Sequence, residues 1–276
     1  MSYIRTFGLM ALMTALFVAI AGWFGGRPAM FIALAFAAVF NFGAYWFSDR
    51  AVLRMYRARP LQRDEAPGLY DMVDQLRQRA GLPMPVIAIS AAEQPNAFAT
   101  GRNPEHAAVC VTQGMLRVAS ADELAGVLGH ELAHIKNRDM LIGTIAATLA
   151  AAVVMLSRVA FWFGGDDDRG GLIGGLLMLI LAPIAAMLIQ MAISRAGEYR
   201  ADRVGAEISG RPGALASALQ KLESEAQRRP MELNPSAAHL AIVNPLKAGG
   251  MTGLFRTHPP TEERVRRLEE MARRGG

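Results

Sequence analysis

Four stretches of this chain, Thr6 to Gly26, Pro28 to Ser48, Met140 to Ser157 and Gly170 to Ser194, contain no Asp, Glu, Lys or Arg. A helix needs about 20 apolar residues to cross a bilayer, and all four come close to that length. The third reaches it only if Arg158 snorkels beside Phe161, Trp162 and Phe163. The competing explanation is a buried core helix, in which such runs rarely exceed about 14 residues. A cleaved leader does not suit the first stretch, whose apolar part is long and which is followed almost at once, after Gly25-Gly26-Arg27-Pro28, by the second. Residues 1–48 are therefore expected to form an uncleaved transmembrane hairpin (spans 6–26 and 28–48), and residues 140–194 a second one (spans 140–157 and 170–194).

Charge sets the expected orientation. Arg50, Arg54, Arg57, Arg59 and Arg63 crowd behind the second stretch, and Arg195, Arg200, Arg203 and Arg211 follow the fourth. The link between the third and fourth is instead acidic, with Asp166, Asp167 and Asp168. Basic flanks stay in the cytoplasm, so both termini and both large polar segments are expected to face inward. The same flanking arginines account for the net charge of +5, and no recognition motif accompanies them, which argues against nucleic-acid binding. With 52% hydrophobic residues the chain is not disordered, and with Cys110 alone it can build neither an internal disulfide framework nor a multi-cysteine metal site.

Residues 49–139 read as mixed α and β. Ala66 to Ala80 has an amphipathic helical pattern that ends at Gly81, and short strands are predicted at Pro85–Ser90, Asn96–Thr100 and Ala107–Thr112. Residues 195–276 read as helical at both ends. Between them, Arg229 to Pro259 is rich in Pro and Gly and reads as a long loop.

The most informative local pattern is His130-Glu131-Leu132-Ala133-His134. Residues four apart share one face of a helix, so both imidazoles can reach one metal ion while Glu131 projects beside them. Ser120 and Glu123 form a capping box that starts the helix near Ala121, and Leu124, Val127, Leu128 and Ile135 continue its apolar pattern. A catalytic zinc takes three protein ligands and leaves a fourth position for water. His106, His239 and His258 are candidates for the third ligand, and a carboxylate is another. If the motif helix runs on through Asp139 into the third span and returns as the fourth, two antiparallel rods turn at residue 166. Glu198 then arrives level with His134, and Asp202 level with His130. This spacing favours Glu198 as the third ligand, against the plainer reading that both acids lie on an arginine-rich solvated helix. Asp202 would accept the second ring N–H of a ligating histidine, with Arg200 or Arg203 balancing its charge.

The run Gly129 to His134 beside a span, Glu198-Tyr199-Arg200-Ala201-Asp202 after the next, Asn96 to Gly101 upstream and Thr257-His258-Pro259-Pro260 near the end resemble the HtpX family, across nearly the whole chain. Those proteins are membrane-embedded zinc endopeptidases of bacteria, related to the CAAX prenyl proteases. The resemblance implies one zinc ion per chain on His130, His134 and Glu198, with Glu131 as the catalytic carboxylate. It also implies a place in the bacterial inner membrane, with the active site cytoplasmic, and misfolded or damaged membrane proteins as substrates. The expected fold is mainly α with a small β-sheet: four transmembrane helices plus a cytoplasmic gluzincin-like metalloprotease domain, divided at 1–48, 49–139, 140–194 and 195–276.

His258 is the candidate donor to the oxyanion of the tetrahedral intermediate, with Tyr199 second. Asn96 and Phe98 lie in a stretch that could pair, as an edge strand, with an extended substrate. Two rival functions are a metal transporter and a non-proteolytic zinc-binding membrane scaffold. A transporter would need ligands within the bilayer, whereas this site should lie about 6–9 Å outside it. A structural zinc would be closed by four protein ligands and has no use for Glu131.

Overall fold

The computed structural model describes residues 2–143, 145, 195–228, 241–242 and 259–275. The expected third span beyond its first residues, the whole fourth span and most of the loop 229–259 lie outside them. Helix α1 runs from Ser2 to Met55 and is broken at Gly26, whose backbone (φ 63°, ψ −159°) is one that glycine adopts without strain. The two halves fold back on one another, since Asn41 Nδ2 donates to Thr14 Oγ1 at 2.9 Å. Gly26–Phe47 is long and apolar enough to cross a membrane, while the earlier apolar helix Thr6–Ala19 is shorter. Phe31, Ile32, Val39 and Phe42 on the second half are each more than 60% exposed. That much bare apolar surface needs a covering. α1 also continues seven residues past the expected boundary at 48, because nothing between Ser48 and Met55 breaks a helix.

A four-stranded sheet follows, in the order β1-β2-β4-β3. The predicted strands appear as β2 (Val86–Ser90), β3 (Ala97–Gly101) and β4 (Ala107–Thr112). The sequence reading missed β1 (Ala58–Pro60), a three-residue piece too short to show alternation. β2 and β4 are parallel, while β1 and β3 pair antiparallel on either side of them. Successive side chains point to opposite faces. Ile87, Ala97, Ala99, Val109 and Val111 therefore enter the main core, whereas Ala88, Phe98 and Cys110 meet Val52 and Tyr56 from the end of α1. The Phe98 and Tyr56 rings lie 4.3 Å apart.

The main core joins this sheet to helices α2 (Pro67–Ala80), α4 (Ala121–Asn137), α5 (Arg195–Ser209), α6 (Pro212–Arg228) and α7 (Thr261–Gly275), with α3 (Gln113–Val118) leading into α4. α4 begins at the predicted capping box: Glu123 N–H donates to Ser120 Oγ, and Ser120 N–H donates to Glu123 Oε2. Glu123 also receives Lys221 Nζ at 2.6 Å and Ser217 Oγ at 2.7 Å, which ties the start of α4 to α6. Burial pushes this carboxyl up, but Lys221, the Ser120 N–H and Ser217 together outweigh it and hold the pKa at about 2.

α4 and α5 cross at unusually short range. A methyl group on Gly205 would sit 2.6 Å from the His130 Cα and backbone nitrogen, and one on Gly129 would sit 2.6 Å from the Gly205 carbonyl oxygen. Two facing glycines let the backbones nearly touch, just where α4 carries its histidines.

Candidate metal centre

α4 does not run on into the third span as expected. It ends at Asn137, and Arg138 takes the left-handed conformation (φ 57°), its N–H closing on the His134 and Ile135 carbonyls. The break has a use. In a continuous helix Asp139, five residues after His134, would point well away from it around the axis. The reversal brings Asp139 Oδ1 to 3.1 Å from His134 Nδ1. Glu198 and Asp202 still reach the histidine pair, because the glycine crossing fixes α4 against α5.

His130 Nε2 and His134 Nε2 lie 3.2 Å apart. Glu198 Oε1 is 3.6 Å from His134 Nε2, and Glu198 Oε2 is 3.8 Å from His130 Nε2. Nitrogen and oxygen ligands held tetrahedrally about zinc at 2.0–2.2 Å stand about 3.3–3.5 Å from one another. The donor set thus has the size and chemistry of a zinc site: two imidazoles and a carboxylate, converging within 4.8 Å. His130 and Glu198 are buried, and His134 is partly exposed at 19%. A cation here would be reachable from one side.

Each imidazole has a carboxylate behind it. Asp139 stands behind His134, and Asp202 Oδ1 lies 3.0 Å from His130 Nδ1 as its charge partner. Burial resists a charge on His134, but Asp139 first, then Glu198 and Glu131, push its pKa up to about 10. Protons and a metal ion therefore compete for this ring. The charge beside Asp202 comes neither from Arg200, which reaches toward Asp139 at 3.5 Å, nor from Arg203, which is exposed. It comes from Arg264 on α7, which donates from Nε and Nη2 to the two Asp202 oxygens at 2.8 and 2.7 Å. Burial alone would raise the Asp202 pKa; Arg264 more than reverses this and holds it well below the usual carboxylate range.

Glu131 is buried beside the donor set, and its Oε2 accepts the Ala99 N–H at 2.7 Å. Burial lifts its pKa above the ordinary glutamate value; both histidines and the Ala99 N–H oppose the rise, and Glu198 adds to it. A carboxylate poised in this way takes up a proton readily. β3 is an edge strand, as expected, and Ala99 presents its outward N–H to Glu131.

The other sequence candidates lie as follows. Asn96 is buried just before β3, where its Oδ1 accepts the Ile242 N–H at 3.1 Å. The Phe98 ring is on the opposite face of the sheet from the donor set. His106 is exposed and hydrogen-bonded to Asn103, away from the histidine pair. Tyr199 lies beneath the Arg267 guanidinium, 3.9 Å from the ring centroid. His239 and His258 are outside the described residues. Asp139 and Arg264 were missed by the sequence reading. Arg264 did carry a signal, because with Thr261, Val265 and Leu268 it marks the buried stripe of α7.

A histidine pair and a glutamate spaced for one cation, with a buried carboxylate alongside, define a metallopeptidase. The comparisons agree. The sequence profile of peptidase family M48 matches residues 63–272. A protease HtpX homolog from Persephonella marina is 56% identical, over 100% of this chain and 99% of its own. Another, from Gemmatimonas aurantiaca, is 58% identical, over 99% of this chain and 100% of its own. The crystal structure of Ste24p from S. mikatae superposes with a TM-score of 0.54 at 18% identity, over 97% of this chain and 65% of that longer one, and shows a shared fold. The chain belongs to peptidase family M48.

Proposed function

We propose that this protein is a zinc-dependent endopeptidase of the bacterial inner membrane that hydrolyses misfolded or damaged membrane proteins from the cytoplasmic side. Two hairpins, 1–48 and 140–194, hold it in the bilayer as four spans, and segments 49–139 and 195–276 assemble the protease between them. The observation that carries the reading is the convergence of His130, His134 and Glu198 on one point with Glu131 beside them.

These three residues would hold one zinc ion per chain, which would supply Lewis acidity toward the scissile carbonyl and acidify a water. The protein's own groups do the rest. Asp139 and Asp202 fix the ring orientations, so that each Nε2 faces the cation. Glu131 takes the proton of the attacking water and returns it to the leaving amine; its raised pKa suits both steps. The outward edge of β3, from Asn96 onward, would align an extended substrate by backbone pairing, with Phe98 serving that strand from behind through its packing on Tyr56. His258, three residues before α7, is the candidate oxyanion donor.

Metal content and cleavage of an unfolded membrane substrate, measured together, test the reading. Glu131→Gln should keep its zinc and lose about 10²- to 10⁴-fold of the activity, as expected when a positioned base is removed. Undiminished cleavage by that variant, or by parent protein stripped with a chelator, would overturn the assignment.

A further inference from the structure

Arg264 is 1% exposed, and nearly every donor it has is committed. Nε and Nη2 hold the two Asp202 oxygens, and Nη1 donates to the Ile242 carbonyl at 3.0 Å. Ile242 is in turn tied through its N–H to Asn96 Oδ1. The guanidinium is therefore held on both sides, by Asp202 and by the Ile242 carbonyl. Nη2 also stands 3.5 Å from His130 Nε2 and 3.8 Å from Glu198 Oε2, at the wall of the metal centre.

The charges point the same way. Glu131, Glu198 and Asp202 place three carboxylates in one buried space. A dication offsets two of them and Arg264 the third, leaving no net charge to bury. Shape matters as much as charge. A planar fork grips both oxygens of a carboxylate at once and fixes its plane, which an ammonium group cannot do. With Asp202 held, its Oδ1 stays within 3.0 Å of His130 Nδ1.

We infer that Arg264 is a positioning residue of the metal centre: its fork sets the Asp202 carboxylate, and Asp202 in turn sets the His130 ring toward the cation. This rests on the metal-site reading above and goes beyond it, by giving the C-terminal helix a task in metal binding.

The test uses the full chain in detergent, with zinc affinity measured by chelator competition and with the visible spectrum of the cobalt-substituted protein. Arg264→Lys keeps the charge and loses the fork. It should lower zinc affinity about 10- to 100-fold, the usual effect of removing an outer partner of a ligating histidine. Its cobalt bands should shift in the same way as those of Asp202→Asn. In the double variant the two losses should not multiply, because the residues act in series. Circular dichroism and gel filtration establish that each variant is folded. Arg264→Gln, which can meet a single Asp202 oxygen, replaces Arg264→Lys if the latter does not fold, with the same pattern expected.

Parental zinc affinity and an unchanged cobalt spectrum in the folded Arg264 variant would overturn the inference while leaving the metal site standing. Losses that multiply in the double variant would overturn it too, since Arg264 would then act independently of Asp202. A parent protein that takes up no zinc would overturn the metal-site reading and this inference with it.

Discussion

Gly205→Ala probes the crossing that brings the two halves of the metal centre together. The added methyl would lie 2.6 Å from the His130 Cα and nitrogen and 2.9 Å from the Gly129 carbonyl carbon, all backbone atoms that no rotamer change can move. Ordinary contact begins near 3.4 Å. α4 and α5 must therefore part by about 1 Å, and such overpacking costs about 1–3 kcal/mol. The centre would suffer more than the fold. The present gaps of 3.6 and 3.8 Å from Glu198 to the two imidazoles would widen by about the same amount, past what bonds of ~2 Å can bridge tetrahedrally. The 3.0 Å approach of Asp202 to His130 would open as well. We expect zinc affinity to fall at least ~100-fold, the upper range for disturbing a ligand's support. Chelator competition and thermal unfolding of detergent-solubilised protein measure the two effects. Gly213→Ala is the control: its methyl meets nothing within 4 Å, on an exposed part of α6, so it should leave zinc unchanged and stabilise by roughly 0.5–1 kcal/mol. A Gly205→Ala protein with parental zinc affinity and stability would refute the claim that this close approach sets the centre's dimensions.

Two further outcomes follow from particular contacts. Glu123 is held at about 2, below its unfolded value of 4.5, so its contribution is present above pH 4.5 and is lost as pH falls from there toward 2. Glu123→Gln should therefore cost about 1–3 kcal/mol at neutral pH, discounted because Lys221 is partly solvated, and the gap from the parent should close below pH 3 in denaturant titrations. A gap that stays constant down to pH 2 would contradict this linkage. Glu198→Ala should lose stoichiometric zinc while His106→Ala keeps it, because only the former faces the imidazole pair; elemental analysis of the two purified variants decides.

The sequence revealed most where a signal is local. Ser120 and Glu123 announced the start of α4, the four-residue spacing put His130 and His134 on one face, and alternation located β2, β3 and β4. Glu198 and Asp202 were expected from counting helical rise along two antiparallel rods; α4 stops at Asn137, and among the described residues it is the glycine crossing of α4 and α5 that sets both acids beside the histidines. The partners that depend on tertiary closure stayed hidden. Asp139 reaches His134 only through a left-handed turn at Arg138, a residue type that does not advertise such a turn. Arg264 sits among Arg266, Arg267, Arg273 and Arg274 on a helix that looks solvated throughout, and only its place on the buried stripe sets it apart. Phe98 was associated with the site by its strand, yet its ring belongs to the other face, and a one-residue step along a strand is enough to make that difference.

The long reach of α1 has a consequence for how this molecule can be handled. The rod that begins among apolar residues ends by plugging the back of the sheet, with Val52 fully enclosed and Tyr56 seated on Phe98. The apolar hairpin and the body that carries the donor set share a beam rather than a tether. Trimming the chain at the last apolar residue would leave the plug without its rod, and removing the plug would bare Ala88, Phe98 and Cys110 to water. The distance from the apolar length of α1 to the donor set is thus built into the fold rather than left to a linker.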